Sequence, residues 1–247
     1  MPKLTLVVPV FNEELRWNSE YWGNLVKHES INFIFVNDGS TDNSGTLLKQ
    51  FVNSFRYCSQ IDLPRNCGKA EAIRLGIESA LKNDSELVGY LDSDGAFNIE
   101  EIQEICRYAE TQILELHNID SLWTSRVSLL GNNIQRKLSR HYIGRIVHTI
   151  IGLWIPKLPY DSQCGFKVFR NDSIFRESVS SPFGTKWFVD LEILLRLRKV
   201  NPQVRVIEYP LQNWEDIAGS KVGMQSIPIV FRDLTALWNL SKQVSAR

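Results

Sequence analysis

The stretch Leu87-Val88-Gly89-Tyr90-Leu91-Asp92-Ser93-Asp94-Gly95 decides the fold: an apolar run that stops abruptly at two carboxylates and a glycine. Such a run reads as a buried strand, and α/β sheets place their ligands at the carboxyl ends of strands. Strand side chains alternate, so Asp92 and Asp94 are expected on one face with Ser93 turned away. Two neighbouring carboxylates repel unless a cation or water lies between them. Hard cations such as Mg²⁺ or Mn²⁺ take one or two carboxylates and complete their shell with substrate phosphates. Asp92 and Asp94 are therefore candidate metal ligands, although an isolated Asp-x-Asp also suits a solvated acidic turn.

Outward from that strand, apolar runs alternate with amphipathic stretches. Strands are expected at 4–10, 31–36, 57–63, 86–91 and 119–124. Helices are expected after Asp42 (with Ser40 or Thr41 as N-cap), from Lys69 onward, and over 99–116. Strands alternating with helices imply a mainly parallel sheet covered on both faces. The second half reads as a helix over 132–154, a strand over 164–169, a helix over 186–199, a strand over 204–209 and a final amphipathic helix over 227–242. No repeat or long linker interrupts the 247 residues, so one domain is expected, with a ligand-binding half to about 125 and a second half from about 126.

Composition narrows the function. Twenty-eight basic and 28 acidic residues cancel, which argues against a general nucleic-acid binder. The 43% hydrophobic content supports a substantial core. Cys58, Cys67, Cys106 and Cys164 form no C-x-x-C pair, so reduced thiols are expected rather than zinc or disulfides. The chain opens on a strand without a signal-like segment, and no apolar run reaches the roughly 18 residues of a membrane span. The expectation is a cytoplasmic protein, peripheral at the inner face of a membrane. No Asp or Glu occurs between Ser121 and Tyr160, where Arg126, Arg136, Lys137, Arg140, Arg145 and Lys157 fall.

Three loops sit at carboxyl ends of first-half strands: Pro9-Val-Phe-Asn-Glu13, Asn37-Asp-Gly-Ser-Thr-Asp42 and Asp92-Ser-Asp94. In a doubly wound sheet they converge on one crevice. Asp38 can accept from a nucleobase N–H or ribose hydroxyl, or cap its own turn. Glu13 suits the same pocket or an ordinary first helical turn. Lys69, opening a helix behind Asn66 and Gly68, suits a phosphate or base edge. His28, His117, His141 and His148 show no catalytic arrangement.

Val-Val-Pro-Val-Phe-Asn-Glu13, Val-Asn-Asp-Gly-Ser-Thr-Asp42, Asn66-x-Gly-Lys69 and Asp92-Ser-Asp-Gly95, in this order and spacing, resemble the family 2 glycosyltransferases with a GT-A fold. The resemblance implies a Rossmann-like α/β sheet followed by an acceptor-side part. It implies that the Pro9–Glu13 loop, Asp38 and Lys69 bind a UDP- or GDP-sugar, with Asp38 on the base and Glu13 shaping its pocket. Asp92 would face the ribose and metal-bound water, and Asp94 would bind Mg²⁺ or Mn²⁺ on the diphosphate. Further on, Tyr160-Asp-Ser-Gln-Cys-Gly-Phe-Lys167, Trp187-Phe-Val-Asp-Leu-Glu192 and Trp214-Glu-Asp-Ile-Ala-Gly-Ser-Lys221 resemble the dolichyl-phosphate β-glucosyltransferase and polyprenyl-phosphate sugar transferase group. That group implies an inverting transfer of a hexose, glucose from UDP-glucose first, to a polyprenyl phosphate. Ser93 and Phe97 depart from residues common in the group's Asp-x-Asp loop.

By the same resemblance, Lys221 lies over the diphosphate, where a cation offsets leaving-group charge. Asp190 occupies the place of the wider family's general base, with Asp161 as second candidate. Ser125-Arg126 resembles the position where these enzymes meet the acceptor. Arg126, Arg136 and Arg140 offer guanidinium forks for a lipid phosphate. Over 132–154 a basic face opposes an apolar one (Leu138, Tyr142, Ile146, Ile150, Leu153), which suits either a membrane interface or core packing. Transfer to a hydroxyl of a growing glycan is the alternative within the class. A nucleotidyltransferase would need a glycine-rich basic signature that Pro9–Glu13 lacks. A nucleotide-sugar sensor would have no use for Lys221, Asp190 or the arginine cluster.

Overall fold

The computed structural model describes residues 2–27, 30–136, 138–215 and 227–245, the side chains of 138–143, 227 and 245 excepted. The first half runs β1 (Leu4–Val10), α1 (Ser19–Val26), β2 (Ile31–Asn37), α2 (Ser44–Val52), β3 (Cys58–Asp62), α3 (Lys69–Ala80), β4 (Leu87–Leu91) and α4 (Ile99–Glu110). The second comprises β5 (Ser121–Ser125), β6 (Asn133–Gln135), α5 (Leu138–Gly152), β7 (Phe166–Arg170), α6 (Ser173–Val179) and α7 (Val189–Val200). It closes with β8 (Val206–Pro210), β9 (Asn213–Glu215) and α8 (Ile227–Ser245).

Seven strands form one sheet in the order β3-β2-β1-β4-β7-β5-β8, and β7 alone runs antiparallel to its neighbours. The expected mainly parallel sheet is present. After β1 the chain moves outward through β2 to β3, then returns to place β4 on the other side of β1. That reversal opens a crevice at the carboxyl ends of β1 and β4, where the acidic loops lie. All five residues of β4 are buried, as expected of a strand covered on both faces.

Alternation along β1 divides the core. Leu4, Leu6, Val8 and Val10 pack toward Trp22 and Leu25 of α1, Leu48 and Phe51 of α2, and Ile102 and Ile105 of α4. Val7 faces the other way, toward Ile73 and Ile77 of α3 and the cluster containing Leu191 and Leu194 of α7, Ile151 of α5 and Leu237 of α8. The four cysteines are free thiols.

Several expectations give way locally. The region 132–154 begins as a strand: Asn133 takes the Gln212 carbonyl, β6 pairs with β9, and the helix starts only at Leu138. Asparagine favours such competing bonds over helix interiors. On α5, Ile146 and Ile150 are 62% and 43% exposed, as is Leu153 just beyond it at 80%, while Val147 and Ile151 face the core. Helix α2 starts after Asn43, which makes no side-chain cap bond; Asp42 takes the Ser44 amide, and the side chains of Ser40 and Thr41 bond with Asn12 instead. The helix over 99–116 becomes a π-helical turn at Thr111–Glu115. Helix α7 begins at Val189, leaving Lys186, Trp187 and Phe188 in a loop. Helices α1 and α6 and strand β9 were not anticipated; α1 and α6 are short, and β9 is a three-residue pairing.

Candidate active site

The three strand-end loops and the start of α3 surround a cleft of about 530 Å³. Pro9, Glu13, Asp38, Lys69, Asp92 and Asp94 all line it, and Asp190 joins them from α7. Strand β4 ends at Leu91, so strict alternation does not reach the carboxylates; Ser93 lines the cleft with them instead of turning away.

Each loop is fixed by polar bonds to another. The Glu13 amide donates to Ser44 Oγ at 2.7 Å, and its buried carboxylate pairs with Arg16. Asp38, 2% exposed, accepts from the Cys67 and Gly68 amides at 2.7 and 2.9 Å. It thereby fixes the turn that carries Lys69 to the mouth of the cleft. Burial pushes the Asp38 carboxyl up, opposed by these two N–H bonds. Beside this turn Gly39 has φ +60°, and a Cβ there would lie 2.2 Å from the Arg65 carbonyl carbon.

Lys69 Nζ reaches Asp92 Oδ1 at 2.6 Å. Burial alone would lower this amine, but Asp92, then Asp190 and Asp94, outweigh it and raise its pKa. Asp94 accepts from the Ala96 amide at 3.1 Å, and burial followed by the charge of Asp92 pushes its carboxyl up. A Cβ at Gly165 would stand 2.1 Å from Asp92 Oδ2, while the Gly165 carbonyl takes the Asp92 amide at 2.9 Å. Gly165 is thus a site residue whose role its place in the Tyr160–Lys167 motif does not reveal; any side chain there would displace Asp92.

Asp190 stands at the opening turn of α7. Its Oδ1 accepts from the Tyr90 hydroxyl and from Lys167 Nζ at 2.7 Å, and Gln163 Nε2 lies 3.5 Å from Oδ2. Lys167 is 0% exposed, lies 4.8 Å from the Trp123 ring centroid and donates to the Cys164 carbonyl at 2.5 Å. A buried cation with this many partners orients a carboxylate firmly. Tyr90, Gln163 and Lys167 were not expected to act on Asp190. The signal was a lysine between the apolar residues Phe166 and Val168 of β7.

Asp161 is used differently. It accepts from Arg126 Nε and Nη2 at 2.6 and 2.8 Å and from the Arg126 amide at 3.0 Å, with Arg136 3.8 Å away. Burial pushes this carboxyl up, but Arg126 and then Arg136 overcome burial and hold it down to about 2. So weak a base suits proton abstraction poorly. Asp161, Arg126 and Arg136 are absent from the cleft lining; Arg126 instead stacks 5.1 Å from the Trp214 ring centroid. The Arg140 side chain and Lys221 lie outside the described residues.

The lining carries five carboxylates (Glu13, Asp38, Asp92, Asp94, Asp190) against Arg16, Lys69 and Lys186. Among the described residues no three His, Cys, Asp or Glu side chains group as a complete metal cage. Crowded hard-oxygen donors short of a full cage fit a cation that completes its shell with substrate phosphates.

The molecule is an α/β protein with a strand-end cleft that carries an acidic pair and a lysine at its mouth. Residues 5–174 match glycosyl transferase family 2, and the chain belongs to that family. It is a glycosyltransferase, and curated proteins similar to it include dolichyl-phosphate beta-glucosyltransferases. The Trichomonas vaginalis protein ALG5C is 28% identical over 94% of this chain and 70% of its own length. The Homo sapiens enzyme is 27% identical over 97% and 78%. Among solved structures, glucosyl-3-phosphoglycerate synthase from Mycobacterium tuberculosis with Mn²⁺, uridine diphosphate and glucosyl-3-phosphoglycerate superposes with a TM-score of 0.67 at 13% identity, covering 99% of this chain and 80% of that one. The Pyrobaculum calidifontis mannosyltransferase PcManGT, bound to GDP-Man and Mn²⁺, gives 0.56 at 12% identity, covering 99% and 74%. The fold is GT-A.

Proposed function

We propose that the protein is an inverting, metal-dependent hexosyltransferase that moves glucose from UDP-glucose to a polyprenyl phosphate. The observation that carries this reading is the single cleft in which Asp190, held by Lys167 and Tyr90, shares the lining with Asp92, Asp94 and Lys69. The names of the curated relatives support the donor sugar and the acceptor.

The acceptor oxygen attacks the anomeric carbon as the bond to the nucleotide diphosphate breaks, and the configuration inverts. Asp94, with Asp92, would hold Mg²⁺ or Mn²⁺, which when bound offsets charge on the departing diphosphate. Lys69 adds a positive charge at the same edge, and Asp38 holds the turn that carries it. A phosphate acceptor has a second pKa of about 6, so it arrives mostly anionic and needs no strong base. Asp190 Oδ1 is already engaged by Lys167 and Tyr90, which favours an orienting role and hence the phosphate acceptor over a hydroxyl.

Among the described residues no helix is long and apolar enough to cross a membrane. The outward Ile146 and Ile150 of α5, with Leu153 just beyond it, support docking at a lipid surface, where a polyprenyl phosphate resides. The test is a panel of UDP- and GDP-sugars offered with a polyprenyl phosphate, read by the mass of the lipid product. Glucosylated lipid phosphate from UDP-glucose is expected; product only from a hydroxyl acceptor would overturn the reading.

A further inference from the structure

The loop leading into α7 is held in an unusual way. Four consecutive amides, Gly184 to Trp187, each donate to a buried carboxylate. Gly184 and Thr185 give theirs to Glu192 at 2.9 and 2.8 Å, and Lys186 and Trp187 give theirs to Asp233 Oδ2 at 2.7 Å each. Glu192 lies one turn inside α7, where it also binds the Thr185 hydroxyl at 2.7 Å and Arg196 at 2.7 Å. Asp233 comes from α8, is 0% exposed, and does not line the cleft. Carboxylates accepting backbone N–H bonds form strong, directional contacts. Two of them on consecutive dipeptides leave the loop little freedom.

What this clamp presents is a cation. Lys186 and Trp187 both line the cleft, four and three residues before Asp190. Among the described residues, Arg16 on the lining pairs with Glu13 and Lys69 pairs with Asp92, whereas Lys186 has no carboxylate partner. A lysine held at a cleft by its backbone, with its charge uncommitted, suits an anion brought by the substrate. The half-buried Trp187 sets apolar surface next to that charge, the pairing that an amphiphilic phosphoester presents. The donor diphosphate already has Lys69, Asp92 and Asp94 on the strand-end loops. Lys186 instead belongs to the wall that bears Asp190.

We propose that Lys186 is the contact for the acceptor's phosphate and that Asp233 is its positioning residue, acting from a helix outside the cleft. The proposal rests on the phosphate-acceptor reading above. Arg126 and Arg136, by contrast, contact Asp161 and do not line the cleft.

Steady-state kinetics with the full chain, a nucleotide sugar and a short-chain polyprenyl phosphate test it. Lys186→Ala should raise the acceptor KM about ten- to hundredfold, as loss of a charge-assisted bond implies, with the donor KM unchanged. Lys186→Arg should restore most of the loss. Asp233→Asn should raise the acceptor KM in the wild-type background but add nothing in Lys186→Ala, because its effect runs through that lysine. An unchanged acceptor KM in Lys186→Ala, or a raised donor KM, overturns the inference while leaving the transferase reading intact. An Asp233→Asn effect that persists in Lys186→Ala overturns the positioning role. Lys186 is exposed, so its variants test the contact even if Asp233→Asn fails to fold. Wild-type protein that transfers only to hydroxyls overturns both proposals together.

Discussion

The two halves of the cleft are built by different means. On the β1–β2–β4 side each functional group sits within a few residues of a strand end, and its supports come from neighbouring loops: Ser44 for Glu13, Cys67 and Gly68 for Asp38, Ala96 for Asp94. On the α7 side the functional groups are held by residues from elsewhere in the chain. Lys167 and Tyr90 hold Asp190, and Asp233 holds the Lys186 loop across 47 residues. On the first side the functional groups themselves, though not all their supports, lie in short motifs at strand ends. The second side exists only once the sheet and helices have assembled.

The largest expected effect separates the halves by chemistry. Asp94→Ala should cost about a thousandfold or more in transfer, because charge stabilisation on the diphosphate is worth several kcal/mol. Asp190→Asn keeps the shape of the side chain and, if Asp190 only orients an anionic acceptor, should cost about ten- to hundredfold. Parallel turnover assays with added Mn²⁺ decide the matter. Asp94→Ala retaining near-wild-type activity would remove the metal assignment, and Asp190→Asn failing as badly as Asp94→Ala would restore a general base and a hydroxyl acceptor.

The same contrast explains how much could be read from residues alone. The buried run 87–91 fixes a strand by its composition, and the sheet's reversal between β1 and β4 brings Asp38, Lys69, Asp92 and Asp94 together without further information. Lys186 fell inside an expected helix over 186–199. The helix opens only at Val189, and the Lys186 and Trp187 amides ahead of it are held in a loop by Asp233, a partner 47 and 46 residues away. Arg126 and Arg136 read as free guanidinium groups because the carboxylate that takes them, Asp161, is 35 residues from Arg126 and joins it only when β5 and the turn before β7 meet. Charge pattern locates cations; it does not show which already have partners.

A middle-sized effect concerns that pair. The Asp161 carboxyl is held at about 2 against an ordinary value of 3.8. A folded-state pKa below the unfolded one adds stability that is complete above about pH 4 and is lost as pH falls toward about 2, here about 2 kcal/mol. Asp161→Asn should therefore lower stability at pH 7, by about 3 kcal/mol once the stranded Arg126 is included. The gap to wild type should narrow as pH falls from about 4 toward about 2 in urea titrations. A gap independent of pH would mean that Asp161 acts through packing alone. The acceptor-side half would then owe its order to Lys167 and Asp233 rather than to this ion pair.

The smallest expected effect tests whether the acceptor-side half also meets a lipid surface. On α5, Val147 and Ile151 bind the helix to the core, so Ile146 and Ile150 can be changed without opening it. Partial burial of two isoleucines in an interface is worth about 1–2 kcal/mol, so Ile146→Ser with Ile150→Ser should weaken binding to anionic vesicles roughly tenfold in flotation assays. The exposed Lys157 just beyond the helix adds a charge contribution that should fall with added salt. Transfer to a short, water-soluble polyprenyl phosphate should be untouched, since neither isoleucine lines the cleft. Equal flotation of wild type and double variant would assign this face to something other than lipid, and loss of soluble-acceptor activity would place α5 inside the catalytic machinery.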